Sequence, residues 1–347
     1  MTKWIIIFIS VTFLGAAVVL WAGLTGSNSE NPYDPFSSSK EARSQEKGDD
    51  SVIYPLTGEQ ADSHIVNRPL AVIINNHPEA RPQSGLQHAD VVYEVLSEGA
   101  VTRFVAIYQS QQPVRIGPVR SARGYHIDLA NGFDAFFVTH GWSPEAERML
   151  ENNAAPYLSG LHHDGTLFQR SSDRSAPHNS YISYIDALSG LTSKGYEAEY
   201  EVRPLPFAEE ETLEQTAEAS KAEINYLDQY DVTYTFDQQS GSYLRATDNK
   251  KDIDLETQEP ITISNILILE APHKEVDEQG RRSIELSTGG NGILLQKGQA
   301  YDVEWKNIDG RLLPVKNGKT VPLVPGNTWI NIVPSSPGVD HAVELSP

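Results

Sequence analysis

The most continuous apolar stretch of the chain comes first: residues 4–24, from Trp4 to Leu24, contain no charged side chain. A helix of about 20 apolar residues crosses a hydrocarbon layer of ~30 Å. Trp4 and Trp21 stand near the two ends, Lys3 precedes the stretch, and Glu30 and Asp34 follow it. Indoles favour the headgroup region and basic residues stay inside, so the pattern predicts a single-pass signal anchor with residues 1–3 in the cytoplasm and the rest of the chain outside. A cleaved signal peptide has an apolar region of about 7–15 residues and a small-residue cleavage site. This stretch is longer, and no clear Ala-x-Ala site follows it. Residues 25–53, polar and poor in groups to bury, read as a flexible linker.

Beyond the linker the period changes. Runs at 69–75, 90–96, 103–109 and 135–139 are short, apolar and rich in β-branched and aromatic residues, which predicts strands. Helices are predicted over 118–131, 144–152 and 181–193. The second has Ser143 placed to cap, Pro144 at its first position and Glu145 in its positive-dipole turn. A helix beginning near Pro118 would set Arg120 and Arg123 one turn apart on one face. Further on, 231–236, 261–269, 292–296, 301–305 and 328–333 alternate or run apolar between Gly, Asn and Pro turns, as antiparallel strands do. The expected fold is therefore α+β or α/β: a mixed α/β ligand-binding domain over 54–200, then a smaller, β-rich domain over 201–347.

Composition narrows the function. The 347 residues carry a formal net charge of -20, which excludes a general nucleic-acid-binding surface because phosphate neutralisation needs a basic face. There is no Cys, so disulfides, thiolate chemistry, thiolate-bound zinc and acylation of an N-terminal Cys are absent. The bases are unevenly chosen: no Lys lies between Lys47 and Lys194, where Arg68, Arg81, Arg103, Arg115, Arg120, Arg123, Arg148, Arg170 and Arg174 all occur. Arg is the base suited to buried, bidentate contact with carboxylate or phosphate, so several of these residues are expected to line a cleft.

Three clusters carry the candidate chemistry. Residues 115–123 place Arg115, Arg120, Ser121 and Arg123 after a strand. His140 ends a predicted strand just before a capped helix, where α/β sheets present ligand groups. Residues 170–179 bring Arg170, Asp173, Arg174, His178 and Asn179 into one loop. Glu98 is the acid candidate: burial would raise its pKa, whereas a neighbouring Arg103 would lower it. Adjacent His162 and His163 point in different directions, so no metal is expected, and nothing calls for a cofactor.

The residues also resemble a family. Glu98-Gly99-Ala100-Val101-Thr102-Arg103-Phe104, Ile116-Gly117-Pro118-Val119-Arg120-Ser121-Ala122-Arg123, His140-Gly141-Trp142-Ser143-Pro144-Glu145-Ala146 and Ala176-Pro177-His178-Asn179 together resemble the YerB-like envelope proteins of Gram-positive bacteria, a two-domain family of unknown function. Pro325-Gly326-Asn327-Thr328-Trp329-Ile330 is similar to its C-terminal domain. The namesake type looks like a lipoprotein; here a transmembrane anchor would replace the lipid. The resemblance implies an envelope location and brings no catalytic residues with it.

Three functions remain open. The first is binding of an anionic cell-wall ligand, a peptidoglycan fragment or a teichoic-acid phosphate, by Arg115, Arg120 and Arg123, with Arg103, Ser121, Arg174, His178 and Asn179 completing the cleft and His140 at its edge. The second is a glycan-cleaving hydrolase or lyase, with Glu98 or Asp173 as the acid and His140 or His178 as its partner. The third is a scaffold for other envelope proteins. The expected partners are the membrane, through the N-terminal helix, and a wall polymer or envelope proteins, but no nucleic acid.

Overall fold

A computed structural model describes residues 52–208, 217–227 and 230–347; the predicted anchor at 4–24 and almost all of the linker lie outside the described residues. Among the described residues no helix is long and apolar enough to cross a membrane.

The four N-terminal apolar runs are strands: β1 (Leu70–Asn75), β2 (Val91–Leu96), β3 (Thr102–Tyr108) and β4 (Phe136–Thr139). All their residues are buried, because the sheet they build is covered on both faces. Successive side chains point to opposite sides of a strand. Leu70, Val72 and Ile74 accordingly enter one core with Tyr226, Tyr234 and Tyr243. Ala71 and Ile73 enter the other, with Ile127 and Leu129. Two apolar faces leave no polar alternation to read, which is why these strands appear in the sequence as continuous runs.

The order across this twelve-stranded sheet is Lys319–Thr320, Arg311–Lys316, Gln299–Ile308, Gly290–Gln296, Asn265–Ala271, Thr328–Pro334, β2, β3, β1, β4 and then β5 (Tyr157–Ser159), with Ala217–Glu218 paired to Gln299–Ile308. An N-terminal α/β part and a mainly β C-terminal part thus meet inside one sheet. Their seam is strand Thr328–Pro334, which is parallel to both β2 and Asn265–Ala271. On the N-terminal side β4 and β5 run parallel to β1, so the C-terminal ends of all three lie at one edge.

Two helices position the site. α1 spans Gly124–Asn131 and α2 spans Pro144–Glu151. The start of α2 is as its sequence predicts: Ser143 Oγ accepts the Ala146 N–H at 3.2 Å, and Glu145 and Glu147 occupy the first turn. The expectation of a helix from residue 118 is corrected. Residues 118–122 are extended, and α1 begins only at Gly124, after Arg123. Tertiary pairing overrides the local signal here, because the backbone groups of this segment are taken by neighbouring strands, as described below.

A smaller antiparallel sheet contains Lys221–Tyr226, Tyr230–Asp237, Ser242–Thr247 and the C-terminal strand Val343–Ser346. It packs on the large sheet through the core shared with Val72 and Ile74, and Ser242–Thr247 alternates buried and half-exposed residues, the pattern of a sheet with one wet face. Its Arg245 reaches into the N-terminal part. Arg245, 3% exposed, pairs with the fully buried Glu94 of β2 at 2.6 Å and also with Asp252. The other Glu94 oxygen accepts from Asn76 at 3.1 Å, Thr102 at 2.9 Å and Tyr230 at 2.9 Å. A carboxylate this deep is tolerable because its charge is paired and its lone pairs are filled.

Candidate functional site

The segment 118–122 lies between the C-terminal ends of β1 and β4. On one side the Arg120 N–H donates to Ile73 O at 2.8 Å and the Asn75 N–H to Pro118 O at 2.9 Å. On the other, the His140 N–H donates to Arg120 O at 3.1 Å and the Ala122 N–H to Gly141 O at 2.9 Å. Thr139 Oγ1 donates to Arg120 O as well, at 2.9 Å. Val119 and Ala122 fill the interior, while Arg120 and Ser121 remain half-exposed. Buried backbone must find partners, and these bonds hold residue 120 in the crevice where two parallel strands end.

Around that point a guanidinium cluster forms. Glu98 binds Arg103 through one oxygen at 2.7 Å and Arg123 through the other, with Arg123 Nε at 2.6 Å. Arg103 and Arg123 are 5% and 7% exposed, and Arg103 also donates to Ser121 O at 2.8 Å. Burial alone would raise the Glu98 carboxyl, but Arg103 and Arg123 outweigh it and hold it below the usual carboxylate range. Glu98 is therefore ionised at neutral pH and is not a proton donor. Arg120 differs from its neighbours: among the described residues its guanidinium makes no hydrogen bond or ion pair, although it lies within electrostatic range of Glu98, Arg123, His140 and His178. Burial, reinforced by Arg123, lowers its pKa against the opposing pull of Glu98.

Two imidazoles lie within electrostatic range of Arg120. His140 sits directly after β4, its Nδ1 2.7 Å from Ser180 Oγ and its Nε2 3.0 Å from the Arg170 guanidinium. Arg can only donate, so Nε2 accepts and Nδ1 carries the proton. Arg170 is itself fixed by Asp164 at 3.0 Å and by Asn179 Oδ1 at 3.0 Å. Burial and then Arg170 push the His140 pKa down. Gly160 makes room for this ring, since a Cβ there would stand 2.2 Å from His140 Nδ1. His178 stacks on His77 with ring centroids 4.6 Å apart, and its pKa is lowered by burial and then by His77. Both site histidines are neutral at pH 7 and contribute hydrogen bonds rather than charge.

His77, Glu79 and His178 have ligand atoms within 4.8 Å of one another, the spacing a metal ion would need. The surrounding hydrogen bonds oppose it. Asn75 Oδ1 accepts the His77 N–H at 3.1 Å, so its Nδ2 faces His178 Nδ1 at 2.8 Å, and the Glu79 N–H faces His77 Nδ1 at 3.2 Å. Both rings then accept at Nδ1 and carry their proton at Nε2, from which His178 donates to Glu79 at 3.2 Å. Coordination through Nε2 would require turning Asn75 and losing a backbone bond.

Of the residues singled out from sequence, Arg103, Arg120, Ser121, Arg123, Glu98, His140 and His178 gather at this strand edge, and Asn179 joins through Arg170. Arg115 goes elsewhere, pairing with Glu256 at 3.1 Å and stacking on Tyr181 at 3.9 Å. Arg174 uses its donors on the carbonyls of Ala80 at 2.7 Å and Pro82 at 2.6 Å, fixing the loop after β1. Asp173 is exposed, with Ser171 as its hydrogen-bond partner. Sequence reasoning missed Asn75, His77 and Glu79, although a polar run directly after a buried strand is the kind of signal that marks a strand-end site.

The comparisons agree with this architecture. Residues 56–197 match the family described as "Protein of unknown function (DUF3048) N-terminal domain", and residues 222–330 match the corresponding C-terminal domain. A relative from Bacillus subtilis (strain 168), named "Putative lipoprotein YerB", is 47% identical over 290 residues, covering 81% of this chain and 86% of its own. The crystal structure of YerB protein from Bacillus subtilis superposes with a TM-score of 0.79 at 46% identity, over 85% of this chain and 100% of that one. With identity of this extent across both parts of the shared sheet, the chain belongs to the YerB-like, two-domain DUF3048 family.

Proposed function

We propose that this protein is an extracytoplasmic envelope protein whose N-terminal domain binds an anionic group of a cell-wall polymer, with Arg120 as the receiving residue. The observation that carries the reading is the contrast in pairing. Arg103 and Arg123 are both ion-paired with Glu98, whereas among the described residues the Arg120 guanidinium, held between the ends of β1 and β4, has no hydrogen-bond or ion-pair partner. Three guanidiniums face one carboxylate, so the cluster keeps an excess of positive charge in a chain of net charge -20. Such a focused field attracts an anion, and a planar guanidinium fits a phosphate or carboxylate through two parallel bonds. His140 and His178, whose ring nitrogens are committed to Ser180, Arg170, Asn75 and Glu79, border the place without adding charge. The envelope location rests on the uncharged stretch at 4–24 and on the lipoprotein name of the relative from Bacillus subtilis. With no Cys to acylate, the apolar stretch would supply the attachment.

Sedimentation with purified wall fractions across a salt series tests the reading. Arg120→Gln is expected to weaken binding by about 10- to 100-fold, the value of one or two charge-assisted hydrogen bonds, while Arg115→Gln leaves it unchanged. Equal binding by wild type and Arg120→Gln would refute it.

A further inference from the structure

A second basic cleft lies beyond Arg123. It has a volume of about 290 Å³ and is bordered by Arg123, Ser143, Glu145 and Arg148 from the N-terminal part and by Arg281 and Arg282 from the C-terminal part. One of its two acids is engaged: Asp277 pairs with Arg281 at 3.0 Å and accepts the N–H groups of Gln279 and Arg281. Glu145 has no hydrogen-bond or ion-pair partner among the described residues, so one free carboxylate faces the four guanidiniums of the cleft. Two of the bases also keep free donors. Arg148 is exposed, and among the described residues its guanidinium has no hydrogen-bond or ion-pair partner. Arg282 donates to Gly99 O at 2.9 Å, while its Nε is buried without a partner.

Arg123 links the two places. Its guanidinium pairs with Glu98 in the strand-edge cluster and also lines this cleft, and Arg282 holds the turn next to Glu98 through Gly99. One basic path therefore runs from Arg120 past Arg123 to Arg148 and Arg282, with an unsaturated guanidinium at each end. A single carboxylate or phosphate fills one end only. A phosphodiester chain carries its charges on the connecting backbone, so it can lie along such a path and present successive anions to it. Among the described residues no aromatic ring lines the cleft, which gives stacked bases no platform there.

We propose that the ligand is a linear, base-free phosphodiester polymer and that the Arg148–Arg282 cleft is its second phosphate subsite; this rests on the reading of Arg120 as the first. The test is calorimetric titration of the full chain, kept in solution with a non-ionic detergent, with sn-glycerol 3-phosphate and with a glycerol-phosphate hexamer. The hexamer is expected to bind at least about tenfold more tightly than the monomer, because the second contact is intramolecular. Arg148→Gln and the double variant Arg148→Gln/Arg282→Gln should each lower hexamer affinity, the double by about tenfold, with monomer binding kept within about twofold and a salt slope shallower by about one to two. Arg148→Gln removes an exposed side chain, so its result does not depend on the Gly99 contact. Equal affinity for monomer and hexamer, or no change of hexamer affinity in either variant, overturns the second subsite while leaving Arg120 in place. A hexathymidylate binding as tightly as the hexamer overturns the base-free assignment. Failure of the wild type to bind either phosphate overturns both readings together.

Discussion

Two of the arginine–carboxylate networks among the described residues are built from neighbouring elements and have opposite stoichiometry. In the interior, Arg245 stands between Glu94 and Asp252, so two acids face one base, and Glu94 is further bonded by Asn76, Thr102 and Tyr230. At the strand edge, Glu98 stands between Arg103 and Arg123 with Arg120 beside them, so one acid faces three bases. In the first every charge is paired, and it ties the smaller sheet to β2. The second is open, with a cation left over at a place that solvent reaches. Pairing stoichiometry, rather than the number of arginines, separates the two networks, and the proposed reading assigns the anion to the one with excess base.

The interior network should give the largest effect when broken. Arg245→Met leaves Glu94 charged and buried, which costs about 3–5 kcal/mol. Urea denaturation should show that loss, and Glu94→Gln added to it should recover part of the stability. A result within about 1 kcal/mol of wild type would mean that the tie between the two parts does not depend on this pair.

Acid should act next, and away from both networks. Burial lowers the pKa of His273 to about 4. The unfolded chain binds this proton at a higher pH than the folded one does, so stability rises with pH between about 4 and 6.5 and falls on acidification through that window. The contribution is on the order of 2–3 kcal/mol. Glu98 has the opposite linkage: its depressed folded pKa contributes stability above the unfolded carboxylate value that is lost only as pH falls through the folded value. The strand-edge cluster should therefore stay paired at pH 5 while His273 is already costing stability. Denaturation midpoints of wild type and His273→Asn between pH 4 and 7 should converge at the acid end; parallel curves would reject the assignment.

Glu98→Gln should separate the networks with a smaller change. It removes the one negative charge facing Arg103, Arg120 and Arg123, which costs about 1–2 kcal/mol of stability but strengthens anion binding by a few fold. Glu94→Gln should lower stability with no gain in affinity. If Glu98→Gln weakened anion binding instead, the carboxylate would be arranging the site rather than neutralising it.

Much of this was legible in the sequence, for specific reasons. β1 to β4 are buried on both faces and so show as unbroken apolar runs, and α2 carries its start signals in Ser143, Pro144 and Glu145. The preference for Arg over Lys between residues 47 and 194 pointed to the strand-edge cluster, since guanidiniums that must be buried and shared are poorly replaced by ammonium groups. What was not legible depended on pairing across long distances. Nothing local says that Thr328–Pro334 inserts beside Val91–Leu96, that Arg245 crosses to Glu94, or that residues 118–122 are held by Ile73 and Gly141 instead of coiling after Pro118. Arg115 and Arg174 looked like members of the site because they are close to it in sequence; Glu256 and the carbonyls of Ala80 and Pro82 claim them instead.

The most direct test of the central claim pairs two measurements on Arg120→Gln, urea stability and calorimetric affinity for sn-glycerol 3-phosphate. Because this guanidinium has no hydrogen-bond or ion-pair partner among the described residues, stability should stay within about 0.5 kcal/mol of wild type while affinity falls at least about tenfold. Unchanged affinity, or a loss of stability as large as that from breaking the Arg245 network, would contradict the account.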